Sequence, residues 1–556
     1  MAYRFGRLDF LNKLDMEMML DLNHGIYEGM PFERTYLEGK LSGGRLNINT
    51  LDIASVANAQ IGLSGEVSGF GQAPQFKNLK YLLTTADSGA LVSKFGLNAP
   101  KLDLQKLRNL KLEGIASGNL QYFATKTAAQ AGKISLIYGG EIKAQKGGNY
   151  YKGSVELRSP DFIELLNNLG FNYTPKVLSL GLFNLRGAVS GTADKLRLRN
   201  LTMNAGLNNF KGGIDYTLNN GRPKIAVEGE INKLEIDRFF YNGMGGKSGG
   251  DQNMFRSSGG NAEFLSQPFF SREKIDYSLF AGFDLLADLK FGTLSYGDEV
   301  LYNAAAFINL EQGTANIQKL NGTYLGGMLD SKLLLETSGS PKLSAQLMIS
   351  NQEIKADRWS GKIYGLTAGR LQSSFNLETS AASVADMAQG VNGSVDFEIT
   401  QPQVKGWDMQ KIYDDVTVRE KPDGLAALVK SLLSSGETGF EKLNGRLNFA
   451  AGKYTLADVQ LTAPNLQIGI SGQGNLFEWN TESSFAVKFP QPAYLPGFSF
   501  SLSGSLANPV LEVDIEDLQK MYHDRQDEFK AMAKAREEQR LNELRTQMQA
   551  QQNLAK

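Results

Sequence analysis

The sequence predicts an all-β protein: an elongated, repetitive, antiparallel sheet twisted into a half-pipe or groove, with a few short helices and a charged C-terminal α-helix. Three observations support this fold class. Apolar and polar residues alternate over runs of about five to eight positions. The 60 glycines among 556 residues lack the every-third period of collagen, so they indicate turns and strands. Helical patterns are few and short, which leaves little to cover the apolar sides of the strands.

The alternation places every second side chain on one face of a strand. It is clearest at residues 394–399 (SVDFEI), 498–502 (FSFSL) and 511–515 (LEVDI). A parallel sheet between two helical layers would instead show continuous apolar runs. The pattern therefore favours antiparallel strands with one face in or near water.

Pairs of adjacent glycines precede several alternating segments, at positions 43–44, 139–140, 212–213 and 326–327. Glycine adopts positive φ easily, so each pair predicts a tight hairpin turn, and the GQG at 472–474 is interpreted in the same way. Two of the pairs lead on to matching segments that close with Asp-Arg-aromatic, at 237–239 and 357–359. We interpret these as at least four degenerate repeats, spaced by roughly 70 to 115 residues.

Helical periodicity is confined to a few places. Short helices are predicted at 89–95, 161–169 and 423–433, and a flexible Gly/Ser-rich linker at 243–258. Residues 516–556 contain no glycine or proline and predict one long helix. Arg525 and Arg536 fall at its would-be core heptad positions, which favours a single solvated helix over a coiled coil.

Composition divides the chain into five parts. These are β-groove repeats at 1–242, a linker or loop insertion at 243–268, a further β-groove repeat at 269–385, a C-terminal β-domain at 386–515 and the helical tail at 516–556. No run of about 18 apolar residues is present, so the sequence predicts no membrane-spanning or signal segment in this chain.

Residue counts exclude several classes of function. A net charge of −1 and the lack of a basic, aromatic-rich stripe argue against nucleic acid as a partner. With no cysteine and only His24 and His523, which are expected on the surface, no catalytic triad or zinc site can be assembled. The GKS at 246–248 lacks the upstream glycine of a phosphate-binding loop, because Tyr241 stands there. We therefore predict no cofactor, no metal and no enzymatic activity.

Several segments of the C-terminal third, taken in order, resemble the C-terminal domain of the bacterial AsmA family. They are GVNGSVDFEI at 390–399 followed by VKGWD at 404–408, TGFEKLNG at 438–445, LADVQLTAP at 456–464 with the GQG after it, and LSGSLANP at 502–509. The predicted helix at 423–433 falls where that family also has one. The resemblance covers 386–515 well and the upstream repeats more loosely.

The resemblance implies a bridge-type lipid-transfer protein of Gram-negative bacteria. Members of this group are anchored in the inner membrane, face the periplasm and form long β-grooves implicated in moving phospholipid and in outer-membrane assembly. They usually begin with a membrane-spanning helix, which this chain lacks, so a fragment without its N-terminal anchor is expected. Phospholipid or another acyl-chain lipid, the inner membrane and outer-membrane assembly proteins are the implied partners.

Acyl chains would then cover the apolar stripes that helices leave bare, at about 25 cal/mol per Å² of apolar surface kept from water. The predicted groove-lining residues are Val395, Phe397, Ile399, Leu447, Phe449, Phe485, Val487, Phe489, Phe498, Phe500 and Leu502. Two alternatives stay open: a β-repeat scaffold whose sheets close on themselves and bind protein partners, and a β-helical carbohydrate enzyme with opposed carboxylates. In the scaffold, Phe397→Asp would destroy folding; in a groove it would remove only lipid binding.

Overall fold

The computed structural model describes residues 6–27, 30–56, 58–70, 74–88, 108–145, 148–168, 175, 177–238, 270–359, 363–419 and 423–554. Its strands are β1 (Met16–Tyr27), β2 (Met30–Ser42), β3 (Arg45–Val56), β4 (Ala59–Ser68), β5 (Gln75–Asp87), β6 (Arg108–Asn119), β7 (Tyr122–Ala131), β8 (Ile134–Gln145), β9 (Gly148–Ser159), β10 (Phe183–Thr192), β11 (Lys195–Ala205), β12 (Asn208–Asn219), β13 (Arg222–Glu235), β14 (Asp284–Tyr296), β15 (Glu299–Glu311), β16 (Thr314–Tyr324), β17 (Gly327–Glu336), β18 (Lys342–Glu353), β19 (Gly365–Ser380), β20 (Asn392–Lys405), β21 (Glu437–Gly439), β22 (Lys442–Ala450), β23 (Lys453–Ala463), β24 (Leu466–Asn475), β25 (Asn480–Lys488), β26 (Phe498–Ser505) and β27 (Val510–Asp514).

The described helices are mostly short. The α-helices are α1 (Phe162–Asn168), α2 (Ser278–Ala281), α3 (Ala356–Trp359), α4 (Val384–Gly390), α5 (Met409–Val418), α6 (Leu425–Leu432) and α7 (Glu516–Leu554), and two 3-10 helices span Gly6–Lys13 and Ile236–Arg238. In the described part of the chain, no helix combines the length and apolar character needed to cross a membrane.

The chain forms two compact units. The N-terminal unit comprises 1–248 and 276–322, and the C-terminal unit comprises 249–275 and 323–556. The five-part division made from composition stays a prediction, and the linker predicted at 243–258 lies outside the described residues.

The predicted all-β class is confirmed, with one correction to strand direction. Consecutive strands from β1 to β13, and from β17 to β20, pair antiparallel, but β13 and β14 run parallel. A parallel pair needs a long crossover, and the chain between Glu235 and Asp284 supplies one. Arg222 secures the junction, because its Nε lies 2.7 Å from Asp284 Oδ1 and its Nη2 donates to the Phe283 carbonyl at 3.0 Å.

The glycine pairs divide into two structural classes. Those at 43–44 and 326–327 lie at turns between paired or consecutive strands, as predicted. The pairs at 139–140 and 212–213 lie inside β8 and β12, and the GQG at 472–474 lies inside β24, so the turns predicted there are wrong. Gly140 and Gly212 face Gly153 and Gly229 across the ladder, where a Cβ would come within 3 Å of the neighbouring backbone. These glycines permit close strand approach.

In four strands, a β-bulge that the alternation alone does not reveal forms at an Asn or Asp residue. The register shifts at Phe76/Leu79 in β5, Leu198/Leu201 in β11, Ile349/Gln352 in β18 and Leu456/Val459 in β23. Each bulge contains a residue with positive φ, and these are Asn78, Asn200, Asn351 and Asp458. Asn and Asp tolerate the left-handed region better than other residues with a side chain. Because the bulge adds one residue to the strand, the apolar residues on its two sides lie on the same face although they are three positions apart.

Three predicted helices are confirmed as α1, α6 and α7, whereas the one predicted at 89–95 lies outside the described residues. Sequence analysis missed α5. Both Asp-Arg segments lie in a helical turn that follows a strand within a few residues, the 3-10 helix that ends with Arg238 and α3. His24 and His523 are exposed, as predicted.

The main core of the C-terminal unit lies between its sheet and three helices. Side chains of α5, α6 and the first turns of α7 pack against β24, β25 and β26; Ile412, Val429 and Leu518 are fully buried there. Tyr522 of α7 is buried and donates a hydrogen bond to the Val416 carbonyl. Beyond residue 526, the described side chains of α7 are exposed. The choice of a single solvated helix over a coiled coil stays a prediction.

We predict that Phe485→Ala destabilises the C-terminal unit by about 3–5 kcal/mol, because it removes a buried ring and leaves a cavity. Phe485 is 7% exposed. The matched control is Phe529→Ala in α7, where the ring is 72% exposed and the change should stay within about 0.5 kcal/mol. Urea denaturation followed by circular dichroism measures both, and equal effects would contradict this description of the core.

The carboxylate of Asp161 joins α1 to the segment before β10. Its Oδ1 accepts hydrogen bonds from the backbone N–H groups of Ile163 and Glu164, at 2.7 and 3.2 Å. Its Oδ2 accepts from Ser179 Oγ and from the N–H groups of Leu180 and Gly181, at 2.5, 2.9 and 3.0 Å. Partial burial raises the pKa of Asp161, but these hydrogen bonds outweigh it and hold the pKa below its ordinary value.

Asp161→Asn should therefore lower stability at neutral pH, because an amide nitrogen cannot accept the bonds that Oδ2 receives. A lowered folded-state pKa stabilises the fold above the ordinary carboxyl range and loses this contribution as pH falls through the folded-state value. The difference from the wild type should thus be largest near pH 7 and shrink below about pH 4. Urea midpoints across this range test it, with the exposed Asp288→Asn as control. A difference that stays constant with pH would rule out this role.

Candidate functional site

Strand pairing in the N-terminal unit collects apolar side chains on one face, here called the apolar face. One row of directly paired residues crosses fifteen strands. It runs, from β1 to β15, through Leu22, Thr35, Ile53, Ile61, Leu83, Leu112, Ala129, Leu136, Leu157, Leu185, Met203, Phe210, Ile231, Phe291 and Ala304. Thr35 is its one polar member. A second row, Leu20, Leu37, Leu51, Leu63 and Tyr81, runs beside it across β1 to β5.

Much of this row is only partly covered by protein. Its members from Leu22 to Met203 are half-buried or exposed, and Phe210, Phe291 and Ala304 are buried. Helix α1 covers one end of β8 to β11, where Leu165 contacts a cluster with Ile134 and Phe183. The opposite face is hydrated: Glu156 pairs there with Arg158 and Arg186, whose side chains are 61% and 65% exposed. Hydrogen bonding from Arg186 lowers the pKa of Glu156.

On the apolar face, an aromatic ring extends from its own strand over the neighbouring strand, and that neighbouring strand has a glycine at the point where the ring lies. Gly114 of β6 lies between Tyr81 of β5 and Thr127 of β7. Because Gly114 has no side chain, the Tyr81 ring reaches across it, and its Oη lies 3.1 Å from Thr125 Oγ1 and 2.5 Å from Thr127 Oγ1. The ring thus lies along the sheet, and its hydroxyl ends in a satisfied polar cluster.

The C-terminal unit contains a related arrangement, in which the Tyr454 hydroxyl donates to the Asn480 carbonyl at 3.0 Å. Tyr454 of β23 faces Gly474 of β24, which in turn faces Thr481 of β25. Thr481 Oγ1 lies 2.6 Å from Ser483 Oγ, two residues along the same strand, just as Thr125 and Thr127 are two residues apart. Burial raises the pKa of Tyr454. Sequence analysis missed this three-strand motif, since no single strand contains it.

Ten of the eleven predicted groove residues lie on strands, and strand register places all ten on one face. Val395 faces Leu447, and Ile399 lies in a row that continues through Leu443, Leu461 and Ile468 to Val487. Phe485 faces Phe500. The eleventh residue, Phe489, directly follows β25. That this face lines a groove stays a prediction.

Coverage of this face differs along the C-terminal unit. Phe397, Leu447 and Phe449 are half-buried, and Val395 and Ile399 are buried. The other six, which are Phe485, Val487, Phe489, Phe498, Phe500 and Leu502, all belong to the core beneath α5, α6 and α7.

The six covered residues contact protein where sequence analysis expected an open surface. Phe485 and Phe500 stack with centroids 4.5 Å apart, and the Trp407 ring meets each of them edge-on at 5.4 Å. The predicted scarcity of covering helices is wrong for this part of the sheet, because α5 and the start of α7 fill it. Lipid contact at the eleven residues stays a prediction.

The apolar face of the N-terminal unit was not among the predicted site residues. Its signal is present in the sequence as alternation, for example Leu46, Ile48, Leu51 and Ile53 in β3. The phase changes by one residue between Ile48 and Leu51, where β3 is bulged against β4. A strict period of two therefore misses the continuity of the row.

Comparison with known families settles the relationship that the motifs suggested. The model of the AsmA family matches residues 164–459, which is more than half of the chain. The chain belongs to the AsmA family. In this AsmA-family chain the match begins in α1, well upstream of the segment where the resemblance was strongest, and ends in β23. No curated protein and no solved structure matches the chain.

We predict that Gly114→Ala destabilises the N-terminal unit by about 1–3 kcal/mol, as overpacking does. A Cβ there would lie 2.4 Å from Tyr81 Oη and 2.5 Å from the Lys126 carbonyl oxygen. The control is Gly139→Ala on β8, where the nearest atom is 3.6 Å away and the change should stay within about 0.5 kcal/mol. Urea denaturation measures both variants. Equal stability of the two would show that the ring does not lie over Gly114.

Proposed function

We propose that this AsmA-family protein binds acyl-chain lipid, phospholipid in particular, on its apolar face, and conducts it across the periplasm in outer-membrane biogenesis without catalysing a reaction. The observation that supports this most directly is the row of paired apolar residues that crosses β1 to β15 and is only half-buried from Leu22 to Met203. A contiguous apolar surface of this extent needs a partner. Hydrocarbon fits it, because the row offers almost no polar group to pair.

The energetics suit a mobile ligand. Each methylene group removed from water contributes about 0.8 kcal/mol, wherever along the row it lies. The same free energy is available at successive positions, so an acyl chain can move along the face without leaving one deep pocket for another. A surface without a fixed polar constellation also accepts a class of lipids and needs no cofactor.

Family membership supports the biological setting of this proposal. The AsmA family links the chain to outer-membrane and lipid-related biogenesis. We accordingly propose a periplasm-facing protein associated with the inner membrane, with outer-membrane assembly proteins as its protein partners. Nucleic acid is not among the proposed ligands.

The test is a pair of substitutions on adjacent residues of β4 that lie on opposite faces. Leu63 lies on the apolar face between Leu51 and Tyr81, whereas Ser64 faces Lys80 on the polar face. Leu63→Asp should reduce co-purifying phospholipid per protein by more than half, because a carboxylate is costly beside hydrocarbon. Ser64→Asp should leave it unchanged. Native purification, lipid extraction and mass spectrometry measure the lipid, and circular dichroism measures the fold.

Each other outcome has a definite meaning. A stable, lipid-free wild-type preparation would refute the proposal, as would equal lipid content in both variants. Loss of the strand spectrum in Leu63→Asp alone would favour the scaffold, in which the apolar face is a closed core. Glycan cleavage that disappears on replacing one aspartate would favour the carbohydrate enzyme.

A further inference from the structure

Leucines project into solvent from two neighbouring loops at one end of the strands of the N-terminal unit. Leu207 lies in the turn between β11 and β12, and Leu182 directly precedes β10; each is 73% exposed. The N–H of Gly206 donates to the Leu182 carbonyl at 2.9 Å, so the two loops are in contact. Leu178, in the same loop as Leu182, is fully exposed. We call these three leucines the leucine tips.

The fold does not require leucine at these places. The hydrophobic cluster that the described residues form beneath α1 includes none of the leucine tips. Two other turns at the same end of the strands also begin with a glycine whose φ is +57°, close to the +60° of Gly206. They read Gly-Lys at 132–133 and Gly-Asp at 297–298, with the polar residue exposed, as is usual in a turn. A polar residue therefore suffices after the glycine, and Leu207 needs another explanation.

Hydrogen bonds hold both loops in place. The Asp161 carboxylate fixes the loop before β10, through Ser179 Oγ and the N–H of Leu180. The turn after β11 is tied to β13, because Asn232 Nδ2 donates to the Leu207 carbonyl at 3.0 Å and Asn232 Oδ1 accepts from the Asn209 N–H at 2.6 Å. The leucine tips are thus presented on an ordered backbone, so little conformational entropy is lost when they bind a partner.

A row of uncharged amide side chains lies directly behind the leucine tips, and we call it the asparagine row. Asn184 pairs with Asn204, Asn204 pairs with Asn209, and Asn209 is hydrogen-bonded to Asn232. The last three are exposed. On β10 and β12, the asparagine follows the tip of its loop by two residues, which span about 6.6 Å along a strand. Amides suit a hydrated layer, because burying them in hydrocarbon without a partner is costly.

We propose that the leucine tips insert into the interface of a lipid bilayer, so that this end of the strands rests on a membrane surface. The apolar side of an element that lies in the interface reaches roughly 5–10 Å into the boundary between headgroups and acyl chains. At that depth the leucine tips contact acyl chains and the asparagine row lies among the headgroups. Because the row is uncharged, a zwitterionic surface is sufficient and no anionic lipid is required.

A bilayer fits the leucine tips better than a folded protein does. The core of a protein interface packs as densely as a protein interior, which needs a surface of complementary shape. Each leucine tip instead stands clear of its neighbours, as its exposure shows. Fluid acyl chains adapt to such separate projections. Three exposed leucines on two contacting loops are also more than the single apolar residues that are normal on a surface.

This contact does not rest on lipid binding by the apolar face. Leu182 and the asparagine row lie on the opposite side of the strands from Phe183, which is buried beneath α1 on the apolar face. The two surfaces can therefore be tested separately. Membrane contact at the leucine tips would bring one edge of the apolar face to a bilayer.

The first experiment measures flotation of the full chain with phosphatidylcholine vesicles. The double substitution Leu182→Ser and Leu207→Ser should weaken vesicle binding at least tenfold. The matched control is Leu120→Ser, which removes a 58% exposed leucine from the turn between β6 and β7, at the other end of the strands, and should leave binding unchanged. Raising the salt concentration from about 0.1 M to about 1 M should not weaken binding by the wild type, because salt screens only charge interactions.

The second experiment does not depend on loss of binding. Tryptophan emission should shift to the blue on addition of vesicles in Leu207→Trp, because that ring leaves water, and should not shift in Leu120→Trp. The wild type, with its three tryptophans, gives the background. A wild type that does not bind vesicles, a double serine variant that binds as well as the wild type, or equal blue shifts in the two tryptophan variants would each overturn the proposal.

Two further measurements separate this proposal from lipid binding on the apolar face. The double serine variant should retain its co-purifying phospholipid, and Leu63→Asp should bind vesicles like the wild type. Vesicle binding that is lost in Leu63→Asp and kept in the double serine variant would assign membrane contact to the apolar face and refute the role of the leucine tips. Circular dichroism of each variant confirms that the strands are intact.

Discussion

The rest of this structure depends on one constraint: every strand must direct its apolar side chains to the same face of the sheet as its neighbour does. We call this the phase of the strand. Side chains alternate with a period of two, so a slip of one residue would transfer all the apolar side chains of a strand to the hydrated face. The row from Leu22 to Ala304 is continuous because each strand has the same phase as the strand before it. The bulges at Asn78 and Asn200 absorb single extra residues that would otherwise break it.

Strand content and the positions of α1, α6 and α7 followed from local sequence, because alternation and helical periodicity are local properties. The segments at 394–399 and 498–502 lie in β20 and β26, and α6 lies inside the helix predicted at 423–433. The glycine pairs were ambiguous for a physical reason. Glycine serves both a turn with positive φ and a close approach between strands, and only the pairing partner distinguishes Gly43 from Gly212. The parallel direction of β14 relative to β13 likewise depends on the path of the chain between the two strands, which their own residues do not determine.

The sequence predicts which side chains of the candidate site lie on the same side of their strands. It does not predict whether that side is exposed or covered. Alternation sufficed to place Val395 and Phe500 on one side of their strands. Whether that side is open depends on which distant segment packs against it. Residues 409–418 have apolar side chains at helical spacing, but their role as a cover becomes visible only when Ile412 and Val416 are seen buried against the sheet. The bulged strands could have been found from sequence by the spacing apolar-x-Asn/Asp-apolar, as at Leu198 to Leu201 and Leu456 to Val459.

The aromatic ring laid over a glycine limits substitution at that glycine from two sides. Tyr81 occupies the space that a side chain at position 114 would need, and Tyr454 does the same above Gly474. A Cβ at either glycine would also meet a backbone carbonyl oxygen of the strand beyond, that of Lys126 at 2.5 Å or that of Asn480 at 2.2 Å. A smaller residue in place of the tyrosine would remove only the first of these contacts, so each glycine is required by both of its neighbouring strands at once.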